Sequence, residues 1–388
     1  MYKNETRYAL INGVLLDGTR DMTHQTGKVV CVEGNTITAV TDGPVPAGYE
    51  PVDLAGRYIL PGLINLHVHL PASGKPKKKP SDPKKLVKLI TSNGLMRRVG
   101  VKLCESYART ELLSGVTTIR TVGGVADFDT IIRDRAAAGE ILSPRVVASN
   151  MAVSVPGGHM AGSLAYEART PEEAAAYVER IAAEKPDLIK LMITGGVMDA
   201  EVVGEPGVLR MEPALVKAAC DRAHGLGMKV AAHVESPEGV RVALENGVDS
   251  IEHGAKPDEE ILRLLKEHGA FQVATLSPAI PYALFDRSVS HALRAAGERQ
   301  GGAGGRDRHG PGVSGKRHPR GTGHRYRLPL RHPLRYVAGA VLLREILRRD
   351  ARLRTAQRHA AQRPAGGHRQ RHRLRGGGEG RRFHRVRP

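Results

Sequence analysis

The sequence predicts an α/β chain built as a (β/α)8 barrel of the TIM type, with its eighth strand unaccounted for, behind a small N-terminal β-sheet segment. Three observations predict it. Seven short, β-branched segments recur through residues 57–290, helix-capping residues fall between most of them, and residues 1–56 break that rhythm. Strands that alternate with helices pair in parallel, and seven such units at this spacing favour a closed barrel over an open sheet.

In residues 1–56, the segments YALINGVLL, KVVCVEG and NTITAV are short and alternating, with turn residues between them. They predict a small antiparallel sheet packed outside the barrel. The barrel strands then follow as INLHVHL, VTTIRT and PRVVASN. Thr170-Pro171 starts the helix AAAYVERIAAE, and DLIKLMIT is the next strand. A helix runs from Glu212 to Gly227 before MKVAAHV. Ser236-Pro237 supplies an N-cap and a first-turn proline, Val240 and Leu244 continue the apolar face, and Gly247 closes the helix before VDSIEH. Pro257-Asp258 opens ILRLLKEH, and Gly269 ends it before AFQVATL.

The chain has 388 residues, 59 Lys+Arg against 40 Asp+Glu, and a formal charge of +19. That length supports a barrel-sized core and excludes a mini-protein that needs disulfide staples. The charge is confined to one region. Residues 294–388 hold 25 Arg and one Lys against five acidic residues, a net of +21, which leaves −2 for residues 1–293. No apolar run approaches the roughly 18 residues that span a bilayer, and the start MYKNETRYAL lacks a signal-peptide core, so a cytoplasmic protein without membrane contact is expected. Cys31, Cys104 and Cys220 stand in no metal or redox spacing and read as reduced core residues.

The candidate chemistry lies at the strand ends. His67-Val68-His69 closes the first barrel strand, and a spacing of two on a strand points both imidazoles towards one metal. His233 ends VAAH and His253 ends SIEH. Lys190 sits inside an apolar strand, where a free ammonium is costly. Burial lowers a lysine's pKa, and a neutral amine can take up CO2 as a carbamate able to bridge two cations. His224 and His268 stand near helix C-termini, where the dipole favours an imidazole, and are read as structural. The run from Lys75 to Lys85 is read as a solvated loop.

PGLINLHVHL, the lysine of DLIKLMITGGV and the histidines of VAAH and SIEHG resemble the amidohydrolase superfamily, in its imidazolonepropionase-like and Xaa-Pro or Xaa-Arg dipeptidase branch. The resemblance covers nearly all of residues 1 to about 290. It implies that His67 and His69 hold one divalent ion and that His233 and His253 hold a second. Lys190 would bridge them as a carbamate, and Zn²⁺ is the first candidate metal beside Mn²⁺, Fe²⁺ and Co²⁺. It further implies that a bridging hydroxide attacks the amide carbon of a small molecule or dipeptide, and that the N-terminal segment forms a β-sandwich with the chain's end. A loop like Gly157-Gly158-His159 lies at the family's substrate pocket, which makes Gly158 and His159 candidate substrate-binding residues. A cyclic amidase of the imidazolonepropionase type or a deaminase is the alternative, although deaminases typically lack the bridging lysine. Oligomeric state stays open, a homo-oligomer included.

The family pattern also requires a proton-carrying aspartate at the end of an eighth strand, and no such strand follows AFQVATL, so no catalytic residue is intact. Residues 291–388 are instead rich in Arg and Gly and read as a disordered tail. Moved one nucleotide forward, the degenerate codons of Lys316 to Arg327 permit NGIPVGLGTDTG, a strand ending in the missing aspartate. The same shift lets Gly376 to His384 read as EAGKAADF followed by Thr or Ile. Two matches in one frame favour a frameshift between about residues 290 and 300, and an inactive chain as it stands. The other reading makes the tail a basic arm that binds nucleic acid. It is disfavoured because the tail offers only Tyr326, Tyr336 and Phe383 for stacking.

Overall fold

Alternating burial organises the N-terminal region, which the computed structural model describes within residues 6–72, 82–196 and 207–275. These residues all fall in the first of the chain's two units, Met1–Gly339. The second unit, the Arg-rich tail and both out-of-frame segments lie outside the described residues. The first seven strands are β1 (Arg7–Ile11), β2 (Val14–Leu16), β3 (His24–Gln25), β4 (Lys28–Glu33), β5 (Thr36–Asp42), β6 (Glu50–Asp53) and β7 (Tyr58–Ile59). They make a four-stranded sheet in the order β5-β4-β1-β6 and a three-stranded sheet in the order β3-β2-β7. Ala9, Val29 and Cys31 face one another in its small core.

The expected antiparallel sheet is thus mixed. β1 pairs antiparallel with β4 but parallel with β6, and β2 pairs parallel with β7. The parallel partners come from residues 50–59, in runs of four and two residues. Such runs are too short for alternation to reveal them.

The barrel elements follow as β8 (Leu63–Val68), α1 (Pro83–Ile90), α2 (Gly94–Leu113), β9 (Val116–Thr121), α3 (Phe128–Ala137), β10 (Arg145–Val147), β11 (Ala152–Ser154), β12 (Ala165–Glu167), α4 (Pro171–Ala182), β13 (Leu188–Met192), α5 (Pro213–Gly225), β14 (Lys229–Val234), α6 (Pro237–Glu245), β15 (Ser250–His253), α7 (Glu259–Glu267) and β16 (Phe271–Val273). β8, β9 and β10 pair in parallel, as do β13, β14, β15 and β16. Just beyond β10, the Ala148 carbonyl accepts from Asp187 N at 2.7 Å and Leu188 N at 3.3 Å, joining the two runs. All seven expected strands are present, and β11 and β12 add a short parallel pair beside β13.

The caps explain where the helices begin. Thr170 accepts from Glu173 N, Ser236 from Gly239 N and Asp258 from Ile261 N, each satisfying a first-turn donor. The lysine run read as a loop ends inside a helix, because Asp82 caps α1 by accepting from Lys84 N and Lys85 N. Apolar faces of α4 to α7 pack on β13 to β15 in the main core. A second core gathers Phe128, Ile132, Cys104, Ala108 and Ile119 around β9. Among the described residues, no helix is long and apolar enough to cross a membrane.

Phe128 is fully buried, and Gly100 in α2 makes room for its ring: a Cβ there would lie 2.7 Å from Phe128 Cε2. Phe128→Ala leaves a cavity that this rigid layer cannot collapse. Urea unfolding should show a loss of about 3–5 kcal/mol.

Candidate metal centre

Four imidazoles and one amine converge at the C-terminal ends of the barrel strands. The ring of His67 lies 5.1 Å from that of His69 and 4.7 Å from that of His253, and His233 lies 4.7 Å from His253. Lys190 is fully buried on β13, and its Nζ has no hydrogen-bond partner among the described residues. Parallel pairing sets it beside Ala231, one β14 turn of the pleat from His233. His159, from the loop after β11, stacks on His233 at 4.1 Å. Gly158 is buried in the same loop, where a Cβ would lie 2.6 Å from Ser154 Oγ.

The partners of each ring decide which nitrogen is free. A carbonyl only accepts, so His69 donates from Nδ1 to Gly123 O at 2.9 Å and His233 donates from Nε2 to Gly195 O at 3.2 Å. The opposite nitrogen of each then carries a lone pair. His67 Nδ1 donates to Glu252 Oε2 at 2.8 Å, which leaves its Nε2 free. His253 Nδ1 lies 2.7 Å from Thr275 Oγ1, and its backbone φ of +69° ends β15.

Burial keeps these groups neutral. Desolvation is the main cause that holds His67 and His233 well below the ordinary histidine range, His69 at about 4 and His253 at about 2. Neighbouring positive groups push the same way. Desolvation also brings Lys190 down to about 7, with Glu252 opposing and Arg120 assisting. Neutral imidazoles and an amine with no hydrogen-bond partner suit cation binding, for which deprotonated ligands are required.

Several residues that the sequence reading missed hold this arrangement. The carboxylate of Glu252, fully buried on β15, takes His67 on one oxygen and both Arg120 and Ser250 on the other. Arg120, on β9, also donates to Leu66 O at 2.8 Å and to Ser250 Oγ at 2.9 Å. A charged residue in an apolar strand was the signal that marked Lys190, and VTTIRT and SIEH carry the same signal. Behind His69, Gly123 N donates to Ser149 Oγ and Gly124 N to Asn150 O. Asp129 packs against Gly124 and accepts from Asn150 N. Glu235 also reaches the site, because its ligand atom and those of His233 and His253 all lie within 4.8 Å of one another.

A model of the amidohydrolase family matches residues 58–295. An uncharacterised protein of Mycobacterium tuberculosis is 28% identical over 244 residues, which are 61% of this chain and 56% of that protein. The chain therefore spans about half the length of that curated relative. A Bifidobacterium longum structure assigned as a prolidase has 30% identity and a TM-score of 0.60, covering 77% of this chain and 69% of the other. A Xaa-Pro dipeptidase with methionine bound in its active site has 26% identity and a TM-score of 0.62, covering 76% and 73%.

Three variants test the supports of the site. Glu252→Gln strips the buried partner of Arg120 and should cost about 3–5 kcal/mol in urea unfolding, whereas Arg120→Met with Glu252→Met together should cost less. Desolvation raises the Asp129 pKa to about 6 from 3.8, so the folded state binds the extra proton between those values. Its contribution to stability is full below pH 3.8 and is lost as pH rises through 6. Unfolding of Asp129→Asn compared with the parent at pH 4 and pH 7 should therefore favour the variant more at pH 7, by about 2–3 kcal/mol.

Proposed function

The chain belongs to the amidohydrolase family, and from that premise we propose that its site hydrolyses the C–N amide bond of a small substrate, a dipeptide of the Xaa-Pro or Xaa-Arg type. Two divalent cations, Zn²⁺ first among them, would be held by His67 and His69, by His233 and His253, and by Lys190 as a carbamate between the two pairs. The observation that carries this reading is the Lys190 Nζ, fully buried and without a hydrogen-bond partner among the described residues, in a ring of neutral imidazoles. An amine in that position is costly unless it is put to use. The residues fit the cations: every imidazole of known tautomer keeps one nitrogen free, and the donor set is neutral before carboxylation.

Bound cations would supply Lewis acidity to an amide carbonyl and lower the pKa of an attacking water. The chain's own residues have separate tasks. With a pKa near 7, Lys190 keeps a large share of neutral amine at neutral pH. Its Nζ forms a bond to the carbon of CO2, releases one proton to solvent and becomes an anionic carbamate. Glu252 and the Gly123 and Gly195 carbonyls fix three of the ring tautomers. His159, whose ring stacks on His233, and Gly158 beside it in the same loop would contact the substrate. The proton carrier of the family's eighth strand is expected from the restored reading frame, and without such a group general acid–base catalysis falls by about 10²–10⁴-fold.

The test is metal content and hydrolysis of Xaa-Pro and Xaa-Arg dipeptides, for the chain as it stands and for a chain with the frame restored past residue 290. The restored chain should hydrolyse at least one dipeptide and the present chain at most weakly. Lys190→Ala in the restored chain should lose bound metal and about 10²-fold or more in activity, since even outer supports of a metal site are worth 10–100-fold. Full activity in Lys190→Ala would refute the two-metal reading.

A further inference from the structure

We infer that His233, Glu235 and His253 form a complete site for one divalent cation, with Glu235 as its anionic ligand. This inference rests on the reading above that the imidazoles hold metal. It adds a ligand outside the five residues of that reading, and it makes one position independent of His67, His69 and Lys190.

The geometry comes from the strands. His233 and Glu235 stand two residues apart along the end of β14 and so share a face. On the neighbouring strand, His253 pairs with Val234, the residue between them. The ligand atoms of all three lie within 4.8 Å of one another. The backbone at Glu235 is pinned from both sides. Its N–H donates to Thr194 Oγ1 at 3.1 Å, and Ser236 immediately caps α6. The side chain is half-buried, and its Oε2 is shielded from solvent.

Chemistry favours the carboxylate at this position. Two neutral imidazoles and one carboxylate are a ligand set that binds catalytic divalent cations while leaving a coordination position open. A dication beside neutral rings alone leaves two uncompensated charges in a desolvated pocket, and Glu235 halves that. The three residues belong to β14, β15 and the residue that follows β14, and β14 and β15 are paired on both sides. The site therefore needs no residue beyond 275, and the chain as it stands should hold one cation.

The experiment is titration of the chelator-stripped, full-length chain with Co²⁺, followed by calorimetry and by the visible absorption of bound cobalt. A His67→Ala/His69→Ala variant should bind one Co²⁺ with a visible band. Adding Glu235→Gln should weaken that ion by about tenfold or more and change the band, because a direct ligand outweighs an outer support worth 10–100-fold. Glu235→Asp should restore part of the affinity. In the parent background, Glu235→Gln read the same way covers the case in which the double variant does not fold.

Unchanged Co²⁺ affinity in folded Glu235→Gln overturns the inference and leaves the two-metal hydrolase reading standing. Loss of affinity together with no dipeptide hydrolysis by the metal-loaded, frame-restored chain supports the inference and overturns that reading. A parent chain that binds no Co²⁺ overturns both.

Discussion

The carboxylate of Glu252 is the fixed point on which the site depends. It is fully buried, and it joins three strands that are far apart in sequence: β8 through His67, β9 through Arg120 and its own β15 through Ser250. A lone carboxylate at that depth would protonate or move. Here one oxygen faces a guanidinium and a hydroxyl while the other holds an imidazole, so both oxygens are compensated by donors. Orientation follows from charge balance. Because Glu252 takes the Nδ1 proton of His67, the nitrogen turned into the site is Nε2. The Gly123 and Gly195 carbonyls impose the same kind of choice on His69 and His233.

Desolvation then does two jobs at once. It lowers the pKa of His67, His69, His233, His253 and Lys190, which frees lone pairs, and it strengthens whatever electrostatic contacts remain. These effects conflict unless cations or a carbamate supply the missing charge. Five basic side chains crowded without that charge would be a cost to folding with no return. This conflict is the physical reason to read the cluster as a site for metal and not as a structural knot.

Much of this was legible in the sequence because strand periodicity and capping are local. The HxH pair, the strand-terminal histidines and the buried lysine each announced themselves from their own segment. The partners did not. Arg120 and Glu252 carry the same signal as Lys190, a charge in an apolar strand, but only the folded arrangement brings β9 and β15 within reach of each other. The Gly123 and Gly195 carbonyls have no side chain to read. Glu235 stands where a strand becomes a loop, a place where an acidic residue is ordinarily a solvated one. β11 and β12, at three residues each, are too short for a period, and the parallel pairing of β6 and β7 depends on where the chain returns.

The described sheet also distributes stability unevenly over the site. Lys190 and His233 lie on β13 and β14, and His253 ends β15; all three strands have neighbours on both sides. His67 lies on β8 and His69 just past its end, and among the described residues β8 pairs only with β9. Ile64 and Leu66 on this strand are 64% and 47% exposed, and Phe271 on β16, the opposite edge, is 74% exposed. An edge strand with bare apolar side chains is the part of a sheet most prone to open. What holds it is Arg120, which donates to the Leu66 carbonyl from β9, and Glu252, which holds His67 from β15. The interior polar hub therefore substitutes for part of the missing strand-to-strand pairing. Of the two halves of the site, the pair on β14 and β15 stands on the firmer backbone.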